Sequence, residues 1–249
     1  MPDVSLPLLI AVATTFFIAG IVKGTTGMGL PTLSMAVLGA LFSPLTAASL
    51  LIVPSLVTNV WQLLAGRGLI PLVRRLWPMM FAIIAGTVSG ASWLASGDTR
   101  FTTVALGIAL AGYAAYTLLA RQCHVPQRFE RWLSPVVGVT TGVITGGTGV
   151  FVIPAVPYLQ ALGLGQDDLV QALGLSFTVS TIALAAGFGA RGAFQPDILG
   201  LSALAVVPAL GGMWAGQVVR GRIAPATFRL GFLVCLLLLG AEMILRPLL

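Results

Sequence analysis

The sequence predicts an all-α, polytopic transmembrane helical bundle, and three observations carry that expectation. Hydrophobic residues make up 57% of the 249 residues and charged ones only 8%, against roughly 25% charged in an ordinary soluble domain. The mean hydropathy is +1.02. Apolar runs follow one another along the chain, separated by short charged knots, and most approach the roughly 20 residues that cross a bilayer core. A single membrane domain, 1–249, accounts for nearly the whole chain.

Ten apolar segments are expected. The first, about 6–22, follows Met-Pro-Asp-Val-Ser, which lacks the basic region and the cleavage site of a signal peptide, so it reads as a span that is retained. The second, 26–43, opens on a run of Thr and Gly. The third, 45–65, carries Asn59 and Gln62, the fourth, 76–96, Gly86 and Gly90, and the fifth runs 101–120. A polar connector, Arg121 to Arg131, follows. The sixth and seventh, 132–145 and 149–163, reach little over 20 Å at about 1.5 Å per residue, short of a core about 30 Å thick. They read as half-helices, which must be buried in protein or line a cavity. The eighth, 169–189, holds Ser176, Thr178, Ser180 and Thr181. The ninth, 198–219, holds Gly212 and Gly216, and the tenth, 226–245, holds Cys235 and Glu242.

The connector divides the chain into a first repeat, about 6–120, and a second, about 132–246. Gly27-Met28-Gly29 matches Gly147-Thr148-Gly149 at a shift of 120, Gly66-Arg67-Gly68 faces Ala190-Arg191-Gly192 at 124, Gly86 and Gly90 face Gly212 and Gly216 at 126, and Phe101 faces Phe228 at 127. Five segments per half make the second copy inverted. Ten crossings place Lys23, Arg67, Arg74, Arg75, Arg121, Arg128, Arg131, Arg220 and Arg222 on one side, and Arg100, Arg191 and Arg246 on the other. That nine-to-three split makes the first side cytoplasmic. Re-entrant second and seventh segments would leave eight crossings and a weaker split.

The candidate site lies in two turns, Gly24-Thr25-Thr26-Gly27-Met28-Gly29-Leu30-Pro31 and Thr145-Gly146-Gly147-Thr148-Gly149. Glycine lets a backbone turn and approach a ligand, and a helix restarting after the turn offers free N–H groups and a positive dipole end, which suits an anion. Thr25, Thr26, Thr145 and Thr148 would add hydroxyls, and both turns are expected at one shared site near the midplane. Lys23 either draws an anion in or ends the first segment as an interfacial anchor, and the sequence favours the anchor. Asn59, Gln62, Ser176, Thr178, Ser180 and Thr181 either line a polar path or bond across helices. Gly86, Gly90, Gly212 and Gly216 are expected to serve helix packing. Glu242, with Arg246 four residues on, reads as a helix-end pair.

An enzyme is not expected, because the lone His124 falls in the connector and no H-E-x-x-H cluster is present. Cys123 and Cys235 form neither a CxxC nor a metal spacing, so no disulfide, metal or cofactor is expected. The net charge of +6 is scattered between apolar runs rather than clustered, which argues against nucleic acid.

The two turns, G-T-T-G-M-G-L-P from Gly24 and T-G-G-T-G-V-F-V-I-P from Thr145 to Pro154, each followed by an apolar run, give the chain its family likeness. It resembles the TauE/SafE group of sulfite exporters, also described as 4-toluene sulfonate uptake permeases, from about residue 8 to 245. Members commonly carry three successive glycines at this turn, a run that neither copy has. The resemblance implies a multi-pass protein of the cytoplasmic membrane that moves sulfur-containing or organic anions. Its partners would be a small anionic substrate and the lipid bilayer, with pairing of two copies left open. An anion channel and a non-transporting scaffold remain the alternatives, because glycine-rich broken helices also build filters.

Overall fold

The computed structural model describes residues 6–66, 68–96, 98–119, 124–193, 196–220 and 225–246. These form helices α1 (Leu6–Thr26), α2 (Leu30–Leu41), α3 (Pro44–Leu64), α4 (Leu69–Ala95), α5 (Thr99–Leu119), α6 (Gln127–Thr148), α7 (Ala155–Ala161), α8 (Gln166–Gly189), α9 (Pro196–Leu204), α10 (Val206–Val219) and α11 (Pro225–Leu245). Six helical stretches are long and apolar enough to cross a membrane, with α9 and α10 acting as one of them from Ile198 to Val219. The sixth segment is not a half-helix. α6 begins inside the polar connector and runs 22 residues, about 33 Å. The seventh is short as expected: an extended stretch after Gly149 leads into the seven residues of α7.

The surface is apolar, unlike that of a soluble protein, and many polar side chains are buried. Trp77, Phe81, Val207 and Trp214 are each more than 60% exposed, while Thr32, Ser34, Ser55, Thr58, Asn59, Thr87, Thr141 and Ser176 are completely buried. An apolar exterior suits lipid, and polar groups turned inward are those that can be partnered or can line a path. Backbone groups are satisfied internally even at a helix break in the ladder. Pro54, inside α3, cannot bond the carbonyl of Leu50. Ser202 of α9 donates to that carbonyl at 2.8 Å and accepts the N–H of Val53 at 3.3 Å.

Glycine contacts set the helix pairs and their directions. Gly20 and Gly24 of α1 lie on Gly212 and Gly216 of α10, and Gly86 and Gly90 of α4 lie on Gly142 and Val143 of α6, so both pairs run parallel. A β-carbon at Gly86 would sit 2.5 Å from the carbonyl oxygen of Val139, and one at Gly90 2.6 Å from that of Val143. Such backbone-to-backbone contact leaves no room for a side chain. α3 and α8 are antiparallel, with Gln62 bonded to Val170 at one end and Ser55 to Thr181 farther along. α5 and α11 are likewise antiparallel, Gly107 lying near Met243 and Gly240 near Ala111.

Chain direction also fixes what the short segments do. Lys23 meets Asn59 and Gly27 meets Gln62, so α1 and α3 run parallel and residues 27–43, including α2, carry the chain back between them. α4 runs parallel to α8, with Gly68 beside Asp168 and Gly187 beside Ala91, and parallel to α6, so residues 149–165 make the equivalent return. Neither segment goes in and out at one end. Arg74, Arg75, Arg128, Arg131 and Arg220 therefore share one end of the bundle, and Arg100, Arg191 and Arg246 the other. Arg67, Arg121, Cys123 and Arg222 lie outside the described residues. At the opposite end, Arg246 lies 3.9 Å from Glu242, both exposed, as a helix-end pair.

The positive-inside rule then orients the bundle. Reporter fusions at the connector, near residue 124, are expected to score cytoplasmic, and fusions after Arg246 to score on the far side. A cytoplasmic carboxy terminus with a cytoplasmic connector would require an even number of passes between them and would overturn the alternating chain path.

Candidate functional site

Both turns are built by the same hydrogen bonds. In the first, the Thr26 hydroxyl bonds the Val22 carbonyl at 2.8 Å and accepts the N–H of Met28 at 3.3 Å, and Gly27 takes φ +78°. In the second, the Thr148 hydroxyl bonds the Ile144 carbonyl at 2.6 Å and accepts the N–H of Val150 at 3.2 Å, and Gly149 takes φ +71°. Positive φ at one residue ends each helix, and glycine alone adopts it without strain. The matching positions are thus Thr26-Gly27 with Thr148-Gly149, 122 residues apart, which corrects the shift of 120. Gly24 and Gly146 correspond in the same register. Gly146 presses against the backbone of Thr87 and Ala91 in α4, and Gly24 against that of Met213 and Gln217 in α10. Both are packing glycines.

The threonine hydroxyls donate to backbone carbonyls of their own segments. Thr25 donates to the Val22 carbonyl at 2.8 Å, Thr145 to Val150 at 3.1 Å and Thr178 to Gly174 at 2.7 Å. A hydroxyl has one hydrogen, so these groups have none left for an anion.

The two turns do not share a site. Gly27 lies next to Gln62 and Val170, and Gly29 next to Val22 and Phe232, at the end where α3 finishes. Gly147 lies 3.1 Å, by its missing β-carbon, from the ring of Trp93 near the end of α4, and Gly149 is pressed by Met35. Because α4 follows α3 directly and runs back, the turns face opposite ends of the bundle.

What the fold does assemble is a buried polar cluster one helical turn inward from Gly27. Lys23 is 2% exposed, so it is an interior residue and not an interfacial anchor. Its ammonium donates to Asn59 Oδ1 and, at 3.3 Å, to Thr58 Oγ1. Asn59 Nδ2 donates to Ser55 Oγ at 2.9 Å and to Thr181 Oγ1 at 3.4 Å, and Ser55 and Thr181 lie 3.2 Å apart. Every partner is neutral, and among the described residues no carboxylate pairs with Lys23. A buried lysine with only dipoles around it has no protein counter-ion for its charged form. Thr58 and Ser55 are the members that the sequence does not single out, whereas Thr181 is one of the polar residues of the eighth segment expected to line a path or bond across helices. The spacing of Ser55 and Asn59, four apart on one face of α3, was the available signal.

Two glutamines close the cluster from the arginine-rich end. Gln62 Nε2 donates to the carbonyls of Gly27 and Val170, both at 2.8 Å. Gln171 of α8 answers by donating to Leu63 at 2.7 Å and accepting the N–H of Gly68 at 2.9 Å. The first turn, α3 and α8 are thereby tied together. Ser176 is buried with its hydroxyl unpartnered and takes no part in the cluster.

Beside the first turn a cavity of about 410 Å³ opens at the arginine-rich end. Thr25, Thr26 and Met28 form one wall, Leu169, Val170 and Leu173 of α8 another, and Phe232 and Leu233 of α11 a third, with Tyr113, Gln160, Gln166 and Arg220 around it. At the second turn, Met35 packs against Gly149 and the Trp93 ring against Gly147.

Residues 12–243 match the family model described as sulfite exporter TauE/SafE. No curated protein and no solved structure matches the chain.

The missing counter-ion makes a stability prediction. Lys23→Met, of similar length and without charge, is expected to leave the thermal unfolding midpoint in detergent unchanged or raise it by a few degrees. Asn59→Ala strands Lys23, Ser55 and Thr181 and is expected to lower it, by about 1–3 kcal/mol of stability. If Lys23→Met proves as damaging as Asn59→Ala, the lysine is a structural tie.

Proposed function

The chain belongs to the sulfite exporter TauE/SafE family, and on that footing we propose that it is a carrier that moves a small anion, sulfite, a sulfonate or a related organic anion, across the cytoplasmic membrane. The observation that carries this reading is Lys23, a buried ammonium held only by neutral groups. An intramembrane charge without a protein counter-ion marks a place where a mobile counter-ion belongs. The missing charge is negative, so the permeant species is an anion, and cations are repelled from the same place.

The route that fits this begins in the 410 Å³ cavity, passes the first turn and reaches Lys23 when the Gln62 and Gln171 bridges part. The anion takes over one or more ammonium hydrogens from Asn59 and Thr58. The lysine's charge is then compensated in the loaded state, which gives the anion a reason to enter a low-dielectric interior.

The duplicated architecture supports a carrier that alternates between two faces. We read the halves as inverted copies because the turns share their hydrogen bonds at a spacing of 122 and because α1 pairs with α10 as α6 pairs with α4. Such copies exchange conformations to open first one end and then the other. The open cavity at the first turn and the packing of Met35 and Trp93 against the second are what one such state looks like.

Purified protein in liposomes tests the reading. Uptake of labelled sulfite or sulfonate is expected to saturate and to be competed by related anions, and Lys23→Met is expected to abolish it at equal folded amount. Gly27→Val and Gly149→Val, which force a branched side chain to positive φ, are expected to collapse flux as well. Conductance without saturation would identify a channel, and absence of flux for every anion a scaffold. Full activity of Lys23→Met would refute the assignment of the site.

A further inference from the structure

Two acceptors reach the Lys23 nitrogen, Asn59 Oδ1 and, at 3.3 Å, Thr58 Oγ1, and among the described residues there is no third. Both are fixed in that role. Thr58 spends its own hydrogen on the Pro54 carbonyl at 2.8 Å, and Asn59 turns Oδ1 to the lysine because its Nδ2 is bound to Ser55 and Thr181. A neutral amine has two hydrogens and a lone pair, whereas an ammonium has three hydrogens and a charge. The empty site therefore matches the amine hydrogen for hydrogen. The charged form leaves one N–H without an acceptor and its charge without a partner, in an interior where Lys23 is 2% exposed and Thr58 and Asn59 are completely buried.

The elements packed around Lys23 supply neither. α1 has no other ionisable residue, and α2, α3 and α10 have none. The acids of α8, Asp167 and Asp168, are exposed in its first turn, with Asp168 beside Gly68 beyond the end of α3 and so more than a helical turn from Asn59. Arg220 caps α10 at the same end. α11 carries Arg229, Cys235 and Glu242, the last lying near Arg246 at the opposite end, and α5 offers Tyr113, whose hydroxyl reaches the Met28 sulfur at 3.6 Å. Among the described residues none forms an ion pair with Lys23.

We infer that the carrier moves one proton with each anion and that Lys23 is the proton's site: an amine when the site is empty, an ammonium when the anion is bound. The proton comes from water at the open end as the anion arrives and returns to water at the other end as the anion leaves. The anion supplies both the third acceptor and the missing charge, so each ion strengthens the binding of the other. The N–H bond formed on loading is the one broken on release, so the lysine returns unchanged, and a monovalent anion crosses with no net charge. The empty carrier then resets without an unpaired charge in a low-dielectric interior. This inference rests on the carrier reading and adds the co-ion to it.

Methanesulfonate, whose charge does not change with pH, is the probe, so that any proton that moves belongs to the protein. Titrating the purified protein with it in two buffers of different ionisation heat is expected to show about one proton taken up per anion bound, with affinity falling about tenfold per pH unit where that proton is taken up. In liposomes holding a pH dye and with the membrane voltage clamped, an inward methanesulfonate gradient should acidify the lumen in step with anion entry, and an acidic outside should drive accumulation. Lys23→Arg keeps its charge at every working pH, so the proton should vanish from its titration and from any flux that survives. Asp168→Asn, which removes an exposed carboxylate near the same end, should leave the proton-to-anion ratio unchanged. Where only sulfite binds, the same titration is read after subtracting sulfite's own protonation. Anion bound and carried without a proton, a ratio that persists in Lys23→Arg, or one that disappears in Asp168→Asn overturns this inference and leaves the carrier reading standing. If neither anion binds or is carried, the carrier reading falls and this inference with it.

Discussion

Backbone contact between glycines of opposite halves is the constraint on which the rest of the structure depends. α1 belongs to the first half yet lies on α10, and α6 belongs to the second yet lies on α4. In lipid there is no hydrophobic drive to bring helices together, so association comes from packing that only small residues permit. These two crossings hold the halves in register. They set the height of Arg220 beside the first turn, and they place the ends of α1 and α6, where each turn begins, at opposite ends of the bundle. A side chain at Gly142 or Gly212 would separate backbones and displace a turn with them.

The turns are then solved locally. A chain that leaves a helix inside a membrane must satisfy its own freed groups, and both turns do so by one device, a threonine hydroxyl that bonds the carbonyl four residues back and accepts the N–H two residues on. The same device that makes the break tolerable consumes the hydroxyl hydrogens that an anion would have used. Lys23 lies one helical turn away, and the amides of Asn59, Gln62 and Gln171 hold its surroundings together.

The membrane bundle and most of its segments were legible because composition and run length report burial in lipid directly. The sixth helix was not, because its first turns are polar: Gln127, Arg128, Glu130 and Arg131 stand at a membrane face, and Arg75 of α4 pairs with Glu130 there. The site was legible in part. Lys23, Asn59 and Gln62 were visible as polar residues in apolar runs, but a lysine next to a segment's end looks identical whether the helix stops there or runs on one more turn. Here it runs on to Thr26, which takes Lys23 inside. The matching of Gly27 with Gly147 failed by two residues because identity of letters cannot tell a packing glycine from one at positive φ. The hydrogen bonds can.

The corrected register also explains why the two halves are not equal partners. Lys23 in the first half corresponds to Thr145 in the second, 122 positions later. Thr145 spends its hydroxyl hydrogen on Val150 and helps to pin the chain beyond its own turn, whereas Lys23 turns its ammonium across to α3. One half therefore carries the charge and the other a neutral prop.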